Sequence, residues 1–243
     1  RFFGFNLARK PWDDARVRKA AHLAFDRQAA IKSMEQGEGR IGTPLPPGPW
    51  SMTEEELSRL PGYRQPKDQD LAEAKRLLAE AGFPTGFKAK TLVRAGVPGY
   101  QDMGVFAAQQ LAKIGVQLEI EVRETAVWQR LRVEKNFETL PISGVSFIDD
   151  VLGPAFFYYG PGLEWNYESK QRDELMLAYD AAPTQEERKK AARQLEMQLL
   201  EDLPYLVMYW QTPNVAFWKE VRNLTPPQGI YNANKWTEVY LAP

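Results

Sequence analysis

The chain has 243 residues, of which 44% are hydrophobic and 12% are aromatic, so it can bury one large core or two smaller ones. Its 31 basic and 32 acidic residues give a formal net charge of −1, and no basic run alternates with aromatic residues, which argues against nucleic acid as a partner. The absence of cysteine excludes disulfides, thiol catalysis and thiolate metal sites.

The first fifty residues predict a strand, two helices and a loop. The aromatic run RFFGFNLAR favours a strand, and KPWDD supplies a stop and an N-cap for a helix from Arg16. Asp26 is predicted to cap a second helix, DRQAAIKSM. The stretch GEGRIGTPLPPGPW (37–50) begins with the glycine pattern of dinucleotide-binding loops, which needs a strand before it and a helix after it. Because a helix precedes it and four prolines follow, a structural loop is favoured.

The middle of the chain predicts alternating helices and strands. Residues 70–73 (DLAE) resemble a capping box and open a helix that Gly82 ends. Lys88 to Arg94 favours a strand, and Gln101 to Ile114 a helix that Gly115 ends. The stretch VQLEIEVRE alternates without error, which predicts a strand that covers a core with one face.

The remaining part of the chain, from Ala126 on, changes in character after Pro204. Ala126 to Lys135 predicts a helix, Thr139 to Phe147 a strand, and Arg172 to Ala182 another helix. Thr184 to Glu201 predicts a further helix that the box TQEE opens, whereas the residues after 204 are aromatic and β-branched without a helical period. The whole pattern predicts an α/β fold with at least one parallel strand pair, flanked by strand-like ends that need a sheet elsewhere.

The residues capable of acid–base or metal chemistry are few. The single histidine, His22, lies in a predicted helix, where a partly exposed helix residue is expected rather than a lone catalytic base. No GxSxG elbow or GxxxxGK[ST] loop occurs. We therefore expect a protein that is not an enzyme and holds no metal or cofactor. No apolar run approaches the roughly 18 to 20 residues needed to cross a bilayer, and the initial Arg1 suggests a processed or truncated product.

Several blocks along the chain resemble one known family. FNLARKPWDDARVRKAAHLAFDR is similar to the family block N-x-x-x-x-P-[FW]-x-D-x-R-V-R-x-A-x-x-x-A-x-D-R, and DLAEAKRLLAEAGFPTGF to its A-K-x-L-L-x-E-A-G-[FY] helix. AAQQLAKIGVQLEI and RKKAARQLEMQLLEDLPYLVMY resemble later helix and strand blocks in the same order. The chain thus resembles the family 5 extracytoplasmic solute-binding proteins of peptide- and nickel-type ABC transporters.

This resemblance implies an architecture and a set of partners. The implied fold is α/β: a mixed-sheet lobe of a type II periplasmic-binding-protein-like fold with flanking helices, plus terminal strands that belong to the other lobe. Residues 1–9 are expected to be a strand segment of lobe I, 10–204 the ligand-binding lobe II, and 205–243 the return to lobe I. The implied partners are a small-molecule ligand, a membrane ABC permease and a missing N-terminal lobe of the same protein. The implied location is periplasmic or extracellular, with the parent protein associated with the membrane.

The resemblance also implies ligand-binding residues. In peptide-binding members an aspartate pairs with the ligand's α-ammonium, and the corresponding residue here is Asp150 or its neighbour Asp149; a simple turn is the competing interpretation. Arg94 corresponds to an arginine that holds the ligand carboxylate in the dipeptide-binding branch, against the alternative of an exposed strand-end arginine. Many members have tryptophan where this chain has Val145.

Aromatic side chains complete the candidate ligand site. Phe147, Phe157 and Trp210 lie in or beside ring-rich stretches that are suited to stacking on a peptide side chain or a sugar, although core packing competes for the same residues. Arg16, Arg18 and Arg27 belong to the family block, and their helical placement favours scaffold ion pairs. Peptides are the expected ligand class. The alternatives are an oligosaccharide, an opine or a metal chelate, or a hydrolase that uses Asp149 and Asp150.

Overall fold

The computed structural model describes residues 1–144, 165–212, 216–224 and 238–242. Its strands are β1 (Phe2–Phe5), β2 (Gly39–Arg40), β3 (Lys88–Arg94), β4 (Gln117–Arg123), β5 (Thr139–Ile142), β6 (Tyr205–Val207), β7 (Trp210–Gln211), β8 (Val221–Arg222) and β9 (Tyr240–Leu241). Its helices are α1 (Ala15–Ala24), α2 (Arg27–Met34), α3 (Glu54–Ser58), α4 (Asp68–Glu80), α5 (Tyr100–Ala112), α6 (Thr125–Val133), α7 (Lys170–Ala181) and α8 (Gln185–Asp202).

A five-stranded mixed sheet with strand order β4-β3-β5-β1-β6 organises the chain. β3 runs parallel to both β4 and β5, whereas β1 pairs antiparallel with β5 and β6. The pairs β2-β7 and β8-β9 form two small antiparallel sheets. The predicted α/β class with a mixed sheet and a parallel pair is therefore confirmed.

Most helix starts follow the local capping signals. The side chains of Asp14, Asp26 and Thr184 accept hydrogen bonds from the first-turn amides of α1, α2 and α8, as the sequence predicts. A full capping box, which the sequence analysis did not identify, joins Thr53 and Glu56 at the start of α3.

The predicted capping box at Asp70 is wrong. α4 begins earlier, at Asp68, and Asp70 is fully buried. Its carboxylate accepts a hydrogen bond from the amide of Gly62 and forms ion pairs with Arg64 and Lys67. Two cations and an amide satisfy this buried carboxylate more completely than one free amide of a helix start would.

The prediction of a partly exposed His22 is also wrong, since the side chain is only 5% exposed. Its ring faces Gly62, where a Cβ atom would lie 2.2 Å from Nε2 and where the backbone has φ +90. Arg27 donates a hydrogen bond to Nδ1 at 3.1 Å, and Nε2 lies 3.3 Å from the carbonyl oxygen of Pro61. Glycine at position 62 therefore allows the loop to close over the ring.

The three family-block arginines stabilise the scaffold in different ways. Arg16 forms the expected ion pair, with Asp14. Arg18 donates to the carbonyls of Trp12 and Asp202, and Arg27 donates to those of Gly62 and Val207. For these two buried arginines, backbone carbonyls take the place of the predicted ion-pair partners.

The glycine- and proline-rich stretch 37–50 is a connection between α2 and α3, in agreement with the loop prediction. It contains the short strand β2, which pairs with β7. Thr43 donates a hydrogen bond to the buried carboxylate of Glu196 on α8, and this carboxylate also accepts from the amide of Met52 at 3.1 Å. These bonds fasten the loop to α8.

The first strand, β1, and the strand that follows α8, β6, lie side by side within the main sheet. Gly4 of β1 faces Leu140 of β5 on one side and Tyr205 of β6 on the other. β1 and β6 are thus strands of the same sheet as β3, β4 and β5. The division of the chain into lobe segments at residues 10 and 204 stays a prediction.

Candidate functional site

The carboxyl ends of the parallel strands define one edge of the main sheet, here called the carboxyl edge. β3 ends at Arg94, β4 at Arg123 and β5 at Ile142. Because β1 runs in the opposite direction, its first neighbour Arg1 lies at this same edge. Ligands of open α/β sheets collect beyond such edges, which makes this the candidate site.

Arg94 is held at the carboxyl edge by α6. Its Nε donates a hydrogen bond to Thr125 Oγ1 at 3.1 Å, and its guanidinium lies 5.6 Å from the centroid of the Trp128 ring. Trp128 is itself buried and donates from Nε1 to the carbonyl of Leu92 at 3.3 Å. Among the described residues, no carboxylate lies within ion-pairing distance of Arg94. With respect to the described residues, the half-buried guanidinium therefore keeps donors for an anionic group.

A second polar group lies where β5 ends. Arg1 donates from its guanidinium to Ser143 Oγ, and the amide of Ser143 donates to the hydroxyl of Tyr100 at 3.2 Å. Tyr100 begins α5 and packs edge-on against Trp128, with the ring centroids 6.2 Å apart. Through this chain of contacts, the ends of β1, β3 and β5 form one polar surface.

Trp210 lies at the other end of the carboxyl edge. It lines a small recess of about 20 Å³ together with Arg1 and Gly144. Its indole Nε1 donates to the carbonyl of Thr43 at 2.9 Å, which holds the ring in place, and the residue is partly exposed. The structure thus places this predicted residue beside the end of β5.

A carboxylate anchors the residues that flank Trp210. Glu35 accepts hydrogen bonds from the hydroxyl of Tyr209 and from Nε2 of Gln211, both at 2.7 Å. Burial and the neighbouring Glu35 carboxylate raise the pKa of Tyr209 well above its usual value, so this phenol stays protonated and donates.

Five of the predicted ligand-binding residues lie outside the described residues: Val145, Phe147, Asp149, Asp150 and Phe157. The residues that flank the segment 145–164 are described. Gly144 lies at the carboxyl edge, and Trp165 packs over Gly4 of β1 and accepts a hydrogen bond from the amide of Leu7 at 2.9 Å. The roles of the five residues therefore stay predictions.

The described part of the site is suited to binding and orientation. Arg1 and Arg94 are cationic, Ser143 and Thr125 are polar, and Trp210 is a partly exposed aromatic residue. Within the described ranges, no group of three His, Asp or Glu side chains is placed to hold a metal ion. Likewise, none of the helices in those ranges has the length and apolar character to cross a membrane.

The sequence analysis missed several contributors to the carboxyl edge. Trp128, Thr125 and Tyr100 come from the first turns of α5 and α6, directly after the ends of β3 and β4. Helix starts that follow parallel strands are a recognisable signal, because they face the same edge as the strand ends. Glu35 and Ser143 carry no comparable signal, since their contacts join segments 174 and 142 residues apart.

Comparisons with known proteins agree with this architecture. Residues 1–167 match the family described as "Bacterial extracellular solute-binding proteins, family 5 Middle". Heme-binding protein A of Haemophilus influenzae is 28% identical over 84% of this chain and 38% of its own length. The oligopeptide-binding protein AppA of Bacillus subtilis is 24% identical over 97% of this chain and 46% of its own length.

A solved structure shares the fold. The periplasmic binding protein DppA of Helicobacter pylori, in complex with the peptide STSA, has a TM-score of 0.80 at 22% identity. It matches all of this chain and 47% of the DppA chain. This chain therefore spans less than half the length of these relatives.

Proposed function

Because this chain belongs to family 5 of the bacterial extracellular solute-binding proteins, we propose that it supplies one wall of a ligand-capturing cleft. In the proposal, the ligand is a peptide that the parent protein encloses and delivers to an ABC permease in the membrane. The rest of the parent supplies the opposite wall. This function is binding and hinge closure, not catalysis.

The proposal rests on the orientation of Arg94 and on its lack of a carboxylate partner among the described residues. Its guanidinium lies half-buried at the carboxyl edge, oriented by Thr125 and Trp128, with no carboxylate partner among the described residues. A planar guanidinium with free donors matches the two oxygens of a carboxylate. We assign Arg94 to the C-terminal carboxylate of the peptide.

The dimensions of the carboxyl edge favour a short ligand. From β3, which carries Arg94, to β6, which precedes Trp210, there are three strand spacings, or roughly 14 Å. An extended peptide advances roughly 3.3 to 3.6 Å per residue, so about four residues span this distance. In the proposal, Asp150 pairs with the ammonium end and Asp149 is the fallback.

One alternative ligand class has specific support. Heme-binding protein A, which covers 84% of this chain, is named for a metal chelate, and such a ligand also carries carboxylates that suit Arg94. The peptide ligands of AppA and DppA carry an ammonium group as well. A requirement of binding for a free ammonium group on the ligand therefore distinguishes peptides from a metal chelate.

The experiment is calorimetric titration of the full-length protein with free, N-acetylated and C-amidated tri- and tetrapeptides, together with hemin. If the ligand is a peptide, we expect Arg94→Gln to lower the affinity for the free peptide strongly and the affinity for the C-terminal amide little. Arg123→Gln is the matched control, because Arg123 ends the neighbouring strand β4 and already lies 3.7 Å from Glu121. Binding of hemin alone, or equal effects of the two substitutions, contradicts the peptide assignment.

A further inference from the structure

An open groove lies between two helix pairs, with α1 on one side and α8 on the other. α1 packs on α4, and α7 packs on α8. The groove between these pairs has a volume of about 960 Å³. Each wall is one face of a helix, because its lining residues are three or four positions apart. They are Ala15, Lys19 and His22 on α1, and Lys190, Arg193 and Met197 on α8.

The floor of the groove is apolar. It is lined by leucines from α1, α4, α7 and the connecting loops: Leu23, Leu60, Leu77, Leu175 and Leu203. Met197, on the wall of α8, keeps 48% of its surface exposed. A volume of this size with a leucine floor matches the binding grooves of proteins, whose lining is mostly apolar with a few polar groups.

The rim of the groove is cationic. Arg16 and Lys19 stand on the wall of α1, and Lys190 and Arg193 stand on the wall of α8. Arg16 is paired with Asp14, and Arg193 with Glu56. Within the described part of the chain, Lys19 and Lys190 have no carboxylate at ion-pairing distance.

The other titratable groups in the groove leave this positive charge in place. Glu201, near the end of α8, is the one lining carboxylate among the described residues. His22 stays neutral, because burial and the charges of Arg27 and Lys67 lower its pKa well below the usual value. Asp14 and Glu56 offset the charges of Arg16 and Arg193. Lys19 and Lys190, against the carboxylate of Glu201, leave the rim with a small net positive charge around an apolar floor.

We propose that this groove binds an amphipathic α-helix of a protein partner, with acidic residues on both sides of the helix's apolar face. Leucine-like side chains of the partner would cover the floor, and its carboxylates would meet Lys19 on one wall and Lys190 on the other. The residues from Lys190 to Glu201 extend over about 16 Å, which matches three helical turns of the partner. Cations on two opposite walls suit a helix with two acidic flanks better than a ligand with one charged head.

The test is fluorescence anisotropy with a defined probe. The probe is a fluorescein-labelled 14-residue helical peptide with leucines at positions i, i+3, i+4 and i+7 and glutamates on both flanks. A second peptide carries lysine at each glutamate position. We expect the glutamate peptide to bind at least about tenfold more tightly than the lysine peptide, and binding to weaken with added salt.

Two variants separate the charged and apolar contributions. The double variant Lys19→Glu, Lys190→Glu should weaken the glutamate peptide by about tenfold or more, because both walls then repel it. Met197→Gln should weaken both peptides. Lys32→Glu is the matched control: Lys32 is an exposed helix lysine on α2 that does not line the groove, and its substitution should change affinity less than about twofold.

Several results would overturn the proposal. These are equal losses from Lys32→Glu and the double variant, unchanged affinity in both groove variants, or peptide binding to this chain but not to the full-length parent. Oleate binding that the groove variants weaken, with no binding of the glutamate peptide, would assign the groove to a small amphiphile. Light scattering that shows a dimer lost on Met197→Gln would assign it to a second copy of the chain.

Discussion

The buried His22 predicts a specific loss of stability in mild acid. Nδ1 of the folded ring accepts a hydrogen bond from Arg27, which places the proton on Nε2 beside the carbonyl of Pro61. Burial, followed by the charges of Arg27 and Lys67, lowers the pKa of His22 well below its usual value of about 6.5. Protonation would place a third cation in this cluster with no solvent to screen it.

The sign and size of the effect follow from proton binding. Below about pH 6.5 the unfolded chain protonates His22 while the folded chain keeps it neutral, so the free energy of unfolding falls as the pH falls. The slope is about 1.4 kcal/mol per pH unit, which integrates to about 2 kcal/mol between pH 7.5 and pH 5.0 while the folded ring stays neutral. His22 is the one histidine of the chain, so no other imidazole contributes.

The assay is urea unfolding of the chain and of His22→Gln, followed by tryptophan fluorescence at half-unit steps from pH 7.5 to pH 5.0. Glutamine stays neutral, and its amide retains a donor for Pro61. The quantity of interest is the difference in unfolding free energy between the two proteins, because the contributions of carboxylates such as Glu56 and Glu196 cancel in it. Between pH 7.5 and pH 5.0, we expect the wild-type chain to lose about 2 kcal/mol of unfolding free energy relative to His22→Gln. A difference that stays constant with pH would refute the reasoning.

Three further predictions concern packing, the buried ion pair and the ligand. Gly4→Ala should destabilise the fold by about 3 kcal/mol, since the new Cβ would lie 1.8 Å from the ring of Trp165; in the same urea assay Gly48→Ala, whose nearest neighbour lies 3.8 Å away, is the control. Asp70→Asn should cost about 3 to 5 kcal/mol, because it leaves the buried Lys67 without its carboxylate, and a loss below about 1 kcal/mol would contradict this. The chain alone should bind peptide far more weakly than the full-length protein, because one wall of a cleft leaves ligand groups in water, and equal calorimetric affinities would count against the two-wall proposal.

Features that depend on neighbours within a few residues could be predicted from the sequence alone. The caps of α1, α2 and α8 require a side-chain oxygen two or three residues before a free amide, and Asp14, Asp26 and Thr184 provide it in every conformation that starts a helix there. The alternation of burial in β4 from Gln117 to Ile120 and the helix stop at Gly82 are equally local. The prediction for the end of β4 is wrong, because Val122 is exposed and Glu121 is partly buried. The same holds for the family blocks, because each is a continuous run of residues.

Where long-range contacts compete with local ones, the role of a residue follows from the folded chain and not from its sequence neighbours. Asp70 has a local role available at a helix start, but Arg64, Lys67 and the Gly62 amide converge on it and bury it. His22 lies on a helix face that the sequence leaves open and that the loop at Gly62 then covers. Which contacts such a residue makes depends on the distances between folded segments, and these distances cannot be read from sequence spacing.

The candidate site also depends on long-range contacts. Arg94 could be recognised as a strand-end arginine, yet its orientation by Thr125 and Trp128 depends on how α6 crosses the sheet. Arg1 reaches Ser143 across 142 residues because β1 inserts between β5 and β6. The strand order places these side chains at one edge, and strand order is fixed by the burial of both sheet faces together, not by any one segment.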